Sequence, residues 1–116
     1  MIHFMHLKDA PFDSIKSGIK TVEMRLYDEK RRGISIGDII EFARDTDTSQ
    51  KISVRVVNIH VFKDFKELYE TLPIKSLGYA ESEVKNASYK DMEAYYTKDL
   101  QKTYGVCGIE FVLEDK

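Results

Sequence analysis

Lys20, Glu23 and Arg25 are the residues of this 116-residue chain whose types and spacing best suit chemistry. Glu23 and Arg25 stand two apart in Thr21-Val-Glu-Met-Arg-Leu-Tyr27, a stretch that alternates as a strand does. They therefore share one face, because successive strand side chains point to opposite sides. Lys20 lies at the turn before the strand and need not follow that alternation. A lysine gives phosphate a compact charge, and an arginine gives it a planar donor fork. A glutamate between them can accept from base or sugar donors, or it can hold the two cations in place. Tyr27 has the same parity, so its ring is placed to stack on a base or to line a barrel. The plain alternative is an exposed same-face ion pair worth less than about 1 kcal/mol.

Residues 2–7 read as an opening strand. Asp9 stands where a helix N-cap belongs, with Pro11 in the first turn. Phe12, Ile15 and Ile19 recur at helical spacing, and Gly18 is placed to end the helix in a left-handed conformation. The charged stretch Asp28–Gly33 has room for one helical turn, and Gly37-Asp38 signals a turn before the strand of residues 39–44. Residues 45–50 read as a polar hairpin loop.

Residues 52–62 read as a long strand whose apolar parity shifts from Ile52, Val54 and Val56 to Val57, Ile59 and Val61, which predicts a bulge. Asp64 and Glu67 have capping-box spacing before a helix to Thr71 that faces Phe65, Leu68 and Leu72 inward, and Pro73 closes it. Residues 74–87 read as irregular. Ser88 is placed to cap a helix through Tyr96, and Thr97 a short one ending at Gly105. In the last strand, Val106–Leu113, the core face takes Cys107, Ile109, Phe111 and Leu113. The resulting order, β-α-β-β-β-α-α-β, is an α+β domain over residues 1–116.

Other candidates are weaker. Lys30-Arg31-Arg32, with Lys16 and Lys20 near in sequence, is the one basic cluster, able to grip a phosphate backbone or simply to be a solvated turn. His3, His6 and His60 have no metal-ligand spacing, so no metal is expected. No phosphate-binding glycine loop or dinucleotide fingerprint occurs, and no cofactor is expected. Tyr95 and Tyr96 read as helix packing. Cys107 reads as a small core residue.

Net charge is −2, which excludes the strongly basic balance of an avid nonspecific nucleic-acid binder. One cysteine allows no internal disulfide, and no signal peptide or apolar run of bilayer length stands out, so a cytoplasmic protein away from membranes is expected. The sequence sets no oligomeric state.

The motif Gly18-x-Lys20-x-x-Glu23-x-Arg25 resembles the G-x-K-x-x-E-x-R signature of ASCH domains, in the PUA-like superfamily. The helix ending in Gly18, the Gly37-Asp38 turn and the final Tyr104-Gly105-Val106 segment follow in the same order. The spacing is similar to that of small stand-alone prokaryotic members. The resemblance implies a small mixed β-barrel with flanking helices and a cleft beside the signature. Members are generally proposed to bind RNA. One enzymatic branch removes an acyl group from acetylated cytidine with a threonine nucleophile, a lysine and a distant glutamate. That lysine aligns with Lys20, but the threonine position carries Glu23, which cannot copy a hydroxyl's acyl-enzyme route. The expectation is thus an RNA- or nucleotide-binding domain with a Lys20, Glu23, Arg25 and Tyr27 site. The rivals are a small hydrolase on a modified nucleoside or RNA, using Lys20 and Glu23, and a protein-interaction module.

Overall fold

The computed structural model describes residues 1–114; the last two residues of the expected domain lie outside the described residues. The chain runs β1 (Ile2–Leu7), α1 (Asp9–Lys16), β2 (Val22–Leu26), α2 (Glu29–Arg32), β3 (Ile39–Arg44), β4 (Asp47–Phe62) and α3 (Phe65–Thr71). Two 3₁₀ turns follow, Ile74–Leu77 and Glu81–Asn86, then α4 (Lys90–Glu93), α5 (Lys98–Tyr104) and β5 (Val106–Leu113).

The five strands form one curled sheet in the order β1-β3-β4-β5-β2, a half-barrel with helices around it. β1 pairs parallel to β3, and the other pairings are antiparallel. β1 and β2 are therefore the two edges. The curl needs a strand that bends, and β4 supplies it: its register against β5 shifts between Val56 and Asn58. Val54 and Val56 before the shift and Ile59 after it all reach one core, whereas Val57 and Val61 are exposed.

Two apolar clusters hold the sheet. The first joins Met5 and Leu7 of β1, Phe12 and Ile15 of α1, Ile40 and Phe42 of β3, Val54 and Val56 of β4, and Cys107, Ile109 and Phe111 of β5. The second lies on the other face of β2 and β5, where Val22, Met24, Leu26 and Val106 meet Phe65, Leu68 and Tyr69 of α3. Fully buried side chains such as Phe12, Phe42 and Phe65 each contribute about 1.5–3 kcal/mol through burial.

Local signals acted much as their chemistry requires. Gly18 takes φ 85°, and its N–H donates to the Ile15 carbonyl as α1 ends. The Ser14 carbonyl then accepts from both Ile19 and Lys20 N–H groups, turning the chain sharply into β2. Asp64 caps α3 by accepting from Glu67 N–H at 2.9 Å, and Thr97 caps α5 by accepting from Leu100 N–H at 3.2 Å.

Several expectations need correction. Asp9 is inside α1 and does not cap it; Lys8 is the N-cap, and the Asp9 carboxylate accepts instead from Arg44 and Thr46. Ile19 is exposed, because the chain has already left the helix. The expected loop of residues 45–50 is a two-residue turn at Asp45-Thr46, and β4 begins at Asp47. The helix expected through Tyr96 is a single turn, α4, with the Ser88 hydroxyl accepting from Lys90 N–H at 3.2 Å. Leu113 is exposed at the end of β5.

Candidate functional site

β2 carries its charges on the core-facing side. Glu23 pairs across the ladder with Ile109, and Arg25 with Cys107, both members of the first cluster. Directly opposed residues share a face, so Glu23 and Arg25 point into the half-barrel where β1 and β2 come together unpaired. Arg25 Nη2 bridges that seam, donating to the His6 carbonyl of β1 at 3.0 Å.

The three signature side chains meet there. Lys20 Nζ lies 3.0 Å from Glu23 Oε1, and Arg25 Nη2 lies 2.8 Å from Glu23 Oε2. Arg25 Nε also donates to Glu23 Oε2 at 2.9 Å. Both carboxylate oxygens are engaged, and Glu23 is only 4% exposed. Burial pushes the Glu23 carboxyl up, but the charges and hydrogen bonds of Lys20 and Arg25 outweigh it and hold the group below its ordinary value. Burial likewise pulls Arg25 down, and Glu23 more than compensates, raising it. The network is an ionised cation–anion–cation cluster with one net positive charge. Of the two uses open to Glu23, the geometry realises the clamp on its cations.

The lysine stem is held as tightly as its head. Gly78, at φ 103°, passes so close that a Cβ there would stand 3.0 Å from Lys20 Cδ and 3.3 Å from its Cβ and Cγ. Thr21 N–H donates to the Ser76 carbonyl, fixing the same 3₁₀ segment against the start of β2.

An open cleft lies over the cluster. Its first lobe, about 330 Å³, is bounded by β1 residues His6 and Leu7, by Lys20, Glu23 and Arg25, and by Met92, Tyr95 and Tyr96. A second lobe of about 410 Å³ shares Lys20, Met24, Met92 and Tyr95, and continues to Tyr69, Tyr79, Glu83 and Asp91. Both volumes fall in the roughly 300–1,000 Å³ range of small-molecule sites. In the second lobe the Tyr69 hydroxyl lies 2.7 Å from that of Tyr79, which donates to Asp91 at 2.6 Å. Burial and the Asp91 contact both raise Tyr79 above the ordinary phenol range, so it remains a donor.

The other expected site residues lie elsewhere. Tyr27 packs against the first core cluster, and Arg32 covers its ring at 4.3 Å, so its face is not open for stacking. Arg31 pairs with Asp28 at 3.2 Å, and Arg32 donates to the Tyr104 carbonyl at 3.2 Å. Lys16 and Lys30 are exposed and do not line the cleft. Two members of the basic cluster, Arg31 and Arg32, are thus engaged in local structure around α2. His3 lies 2.8 Å from Asp38 and His60 2.9 Å from Glu110. Among the described residues no group of three or more His, Cys, Asp or Glu side chains is placed to hold a metal. Cys107 is fully buried, and burial pushes its thiol up to about 12.

Tyr95, expected as helix packing, is an exposed aromatic bordering the cleft. It is 60% exposed, with Lys8 Nζ 5.0 Å from its ring centre. Tyr96 does pack, stacking on Phe65 at 5.7 Å between ring centres. Both tyrosines lie beyond the end of α4 at Glu93, so no helical periodicity in the sequence marks which of them is exposed.

The chain is thus a curled half-barrel whose edge seam holds a buried Lys-Glu-Arg cluster. A family model for the ASCH domain matches residues 5–114, and the chain belongs to the ASCH domain family. It is similar over 98% of its length to the whole of hypothetical protein PH0355 in its crystal structure, at 35% identity and a TM-score of 0.82. It is also similar over its whole length to the solution NMR structure of protein PF0455 from Pyrococcus furiosus, at 29% identity, full coverage of that chain (100%) and a TM-score of 0.73. The crystal structure of a mutant ZmASCH protein from Zymomonas mobilis shares the fold, with a TM-score of 0.64 at 17% identity, 98% of this chain and 68% of that one being covered. No curated protein matches the chain. No helix of the described residues is long and apolar enough to cross a membrane.

Proposed function

We propose that the cleft binds a short stretch of RNA, or a nucleotide-like ligand, through its phosphate. Lys20 and Arg25 are the phosphate donors, Glu23 is the anion that fixes both, and Tyr95 is the surface on which a base stacks. The observation that carries this reading is the cluster's surplus of charge and donors. A lysine has three N–H bonds and an arginine five, more than Glu23 and the His6 carbonyl engage. The remaining donors border an open lobe. The RNA-binding role proposed for the family agrees with this chemistry.

Binding is favoured over hydrolysis. Glu23 is held ionised, so it is a poor general acid near neutral pH, and both its oxygens already accept from cations. The reading takes residues 1–116 as one domain working in a reducing cytoplasm, which the lone buried Cys107 suits.

The test is a fluorescence-anisotropy titration of short single-stranded RNAs at several salt concentrations. Each neutralised phosphate of a single strand contributes about −0.7 to the log–log salt slope, so a slope no steeper than roughly −3 is expected for RNAs short enough to occupy the cleft alone. Lys20→Ala and Arg25→Ala should each weaken binding. If both bind as the parent does, the cluster is structural only; if the parent binds no RNA or nucleotide, this functional reading fails.

A further inference from the structure

A second charged concavity lies on the other side of α4. It measures about 470 Å³ and is bordered by Lys63 and Lys66 at the start of α3 and by Lys98 and Lys102 of α5. Lys98 and Lys102 are four apart on a helix, so their side chains share a face. The groove is thus flanked by two pairs of cations. The lysines that form ion pairs among the described residues are Lys20, Lys51 and Lys75, none of them in this groove. Two carboxylates border it, and one of them, Asp64, is engaged as the cap of α3. Four cations against two acids make a local positive site on a chain whose net charge is −2.

The groove's shape is fixed and it adjoins the cleft. Buried Gln101 forms part of its lining; its Oε1 accepts from Phe65 N–H at 3.0 Å and its Nε2 donates to the Tyr96 carbonyl at 3.0 Å. That residue ties α3 and α5 to the segment carrying Tyr95 and Tyr96. α4 and its flanks are the shared wall, with Tyr89 and Glu93 toward the groove and Met92 toward the cleft.

We infer that this groove is a phosphodiester track, gripping the backbone of a single-stranded RNA whose end occupies the Lys20–Arg25 cleft. The inference rests on the cleft reading for the position of that end, but not for the groove's own affinity. Flexible lysine point charges suit phosphate oxygens without reading sequence. An acidic protein segment is the other polyanion available to such a groove; the groove's position beside a nucleotide-sized cleft favours the nucleic acid.

The experiment compares a uridine trinucleotide with a uridine 12-mer, both labelled, over a range of salt concentrations. The variants are Lys63→Glu with Lys66→Glu, and Lys98→Glu with Lys102→Glu. A charge-matched control carries Lys75→Glu with Lys85→Glu, exposed residues outside both concavities. Unchanged melting temperatures establish that the variants fold. The expected result is a 12-mer salt slope steeper than the trinucleotide's by about 1.4–2.8, for two to four more phosphate contacts. Each groove variant should weaken the 12-mer by tenfold or more and leave the trinucleotide within twofold. Equal 12-mer affinity in parent and groove variants overturns the inference while leaving the cleft reading intact. So does an equal loss in the control, or tighter binding of a deca-glutamate peptide than of the 12-mer. A 12-mer that binds the parent, loses affinity in the groove variants and ignores Lys20→Ala keeps the groove and refutes the cleft.

Discussion

Gly78→Ala probes the packing that holds Lys20. The glycine's φ of 103° lies where an L-residue pays about 1–2 kcal/mol. The new methyl would also sit 3.0 Å from Lys20 Cδ, and Lys20 is only 8% exposed, so the stem has little room to withdraw. Gly18→Ala is the matched control: its φ is 85°, but nothing lies within 4 Å of the added carbon. Backbone strain alone should lower the melting temperature of both variants by about 4–8 °C, given roughly 4 °C per kcal/mol for a chain of this size. Affinity should separate them. A charge-assisted hydrogen bond contributes about 1.5–3 kcal/mol, so misplacing Lys20 Nζ should weaken RNA binding by roughly 10–100-fold. Gly18→Ala should bind within about twofold of the parent, since its added carbon meets nothing. In a Lys20→Ala background the Gly78 change should lose most of its effect on affinity. Equal affinities for Gly78→Ala and Gly18→Ala would refute the claim that Lys20 is positioned by this contact.

Glu23→Gln should cost about 3 kcal/mol or more in urea denaturation, because it strands two cations at a buried seam. A loss under 1 kcal/mol would mean that water screens the cluster. Since the folded Glu23 carboxyl titrates below its ordinary 4.5, its contribution is complete above that pH and fades as pH falls through the lower folded value. The acid limb of a stability–pH curve should therefore be shallower in Glu23→Gln than in the parent. Gly18→Val should lose more than about 1 kcal/mol, since a β-branched residue tolerates the left-handed region poorly; an unchanged melting temperature would remove Gly18 as the helix stop. Tyr95→Ala should leave stability unchanged and weaken RNA binding by about 1–3 kcal/mol for one lost stacked base, read by anisotropy. Cys107 should ignore thiol reagents at pH 8 in the folded protein and react on unfolding; prompt labelling would contradict its burial.

Much of the scaffold was legible because its signals are local. Gly18 stops a helix whatever surrounds it, Asp64 caps one, and the parity shift at Val56–Val57 marks the bulge that lets β4 curl. The parallel pairing of β1 with β3 left no such trace, since it depends on how the sheet closes. The polar start of β4 was unreadable as strand because no apolar face organises residues 47–51. Alternation gave the shared face of Glu23 and Arg25, but not its direction. A polar stripe normally faces water; here the other face is covered by α3, so the stripe turns into the half-barrel. Tyr27 follows the same parity, yet Arg32 closes over it, and Tyr95 becomes the exposed ring through tertiary placement alone.

The most direct measurement of the central claim is a 1H–15N NMR titration of the protein with a uridine trinucleotide. The account predicts saturable shifts at the Arg25 Nε–H and at the amides of Lys20, Met92 and Tyr95, lost in Lys20→Ala. Saturable shifts confined to other surfaces, with the Arg25 Nε–H unmoved, would contradict it.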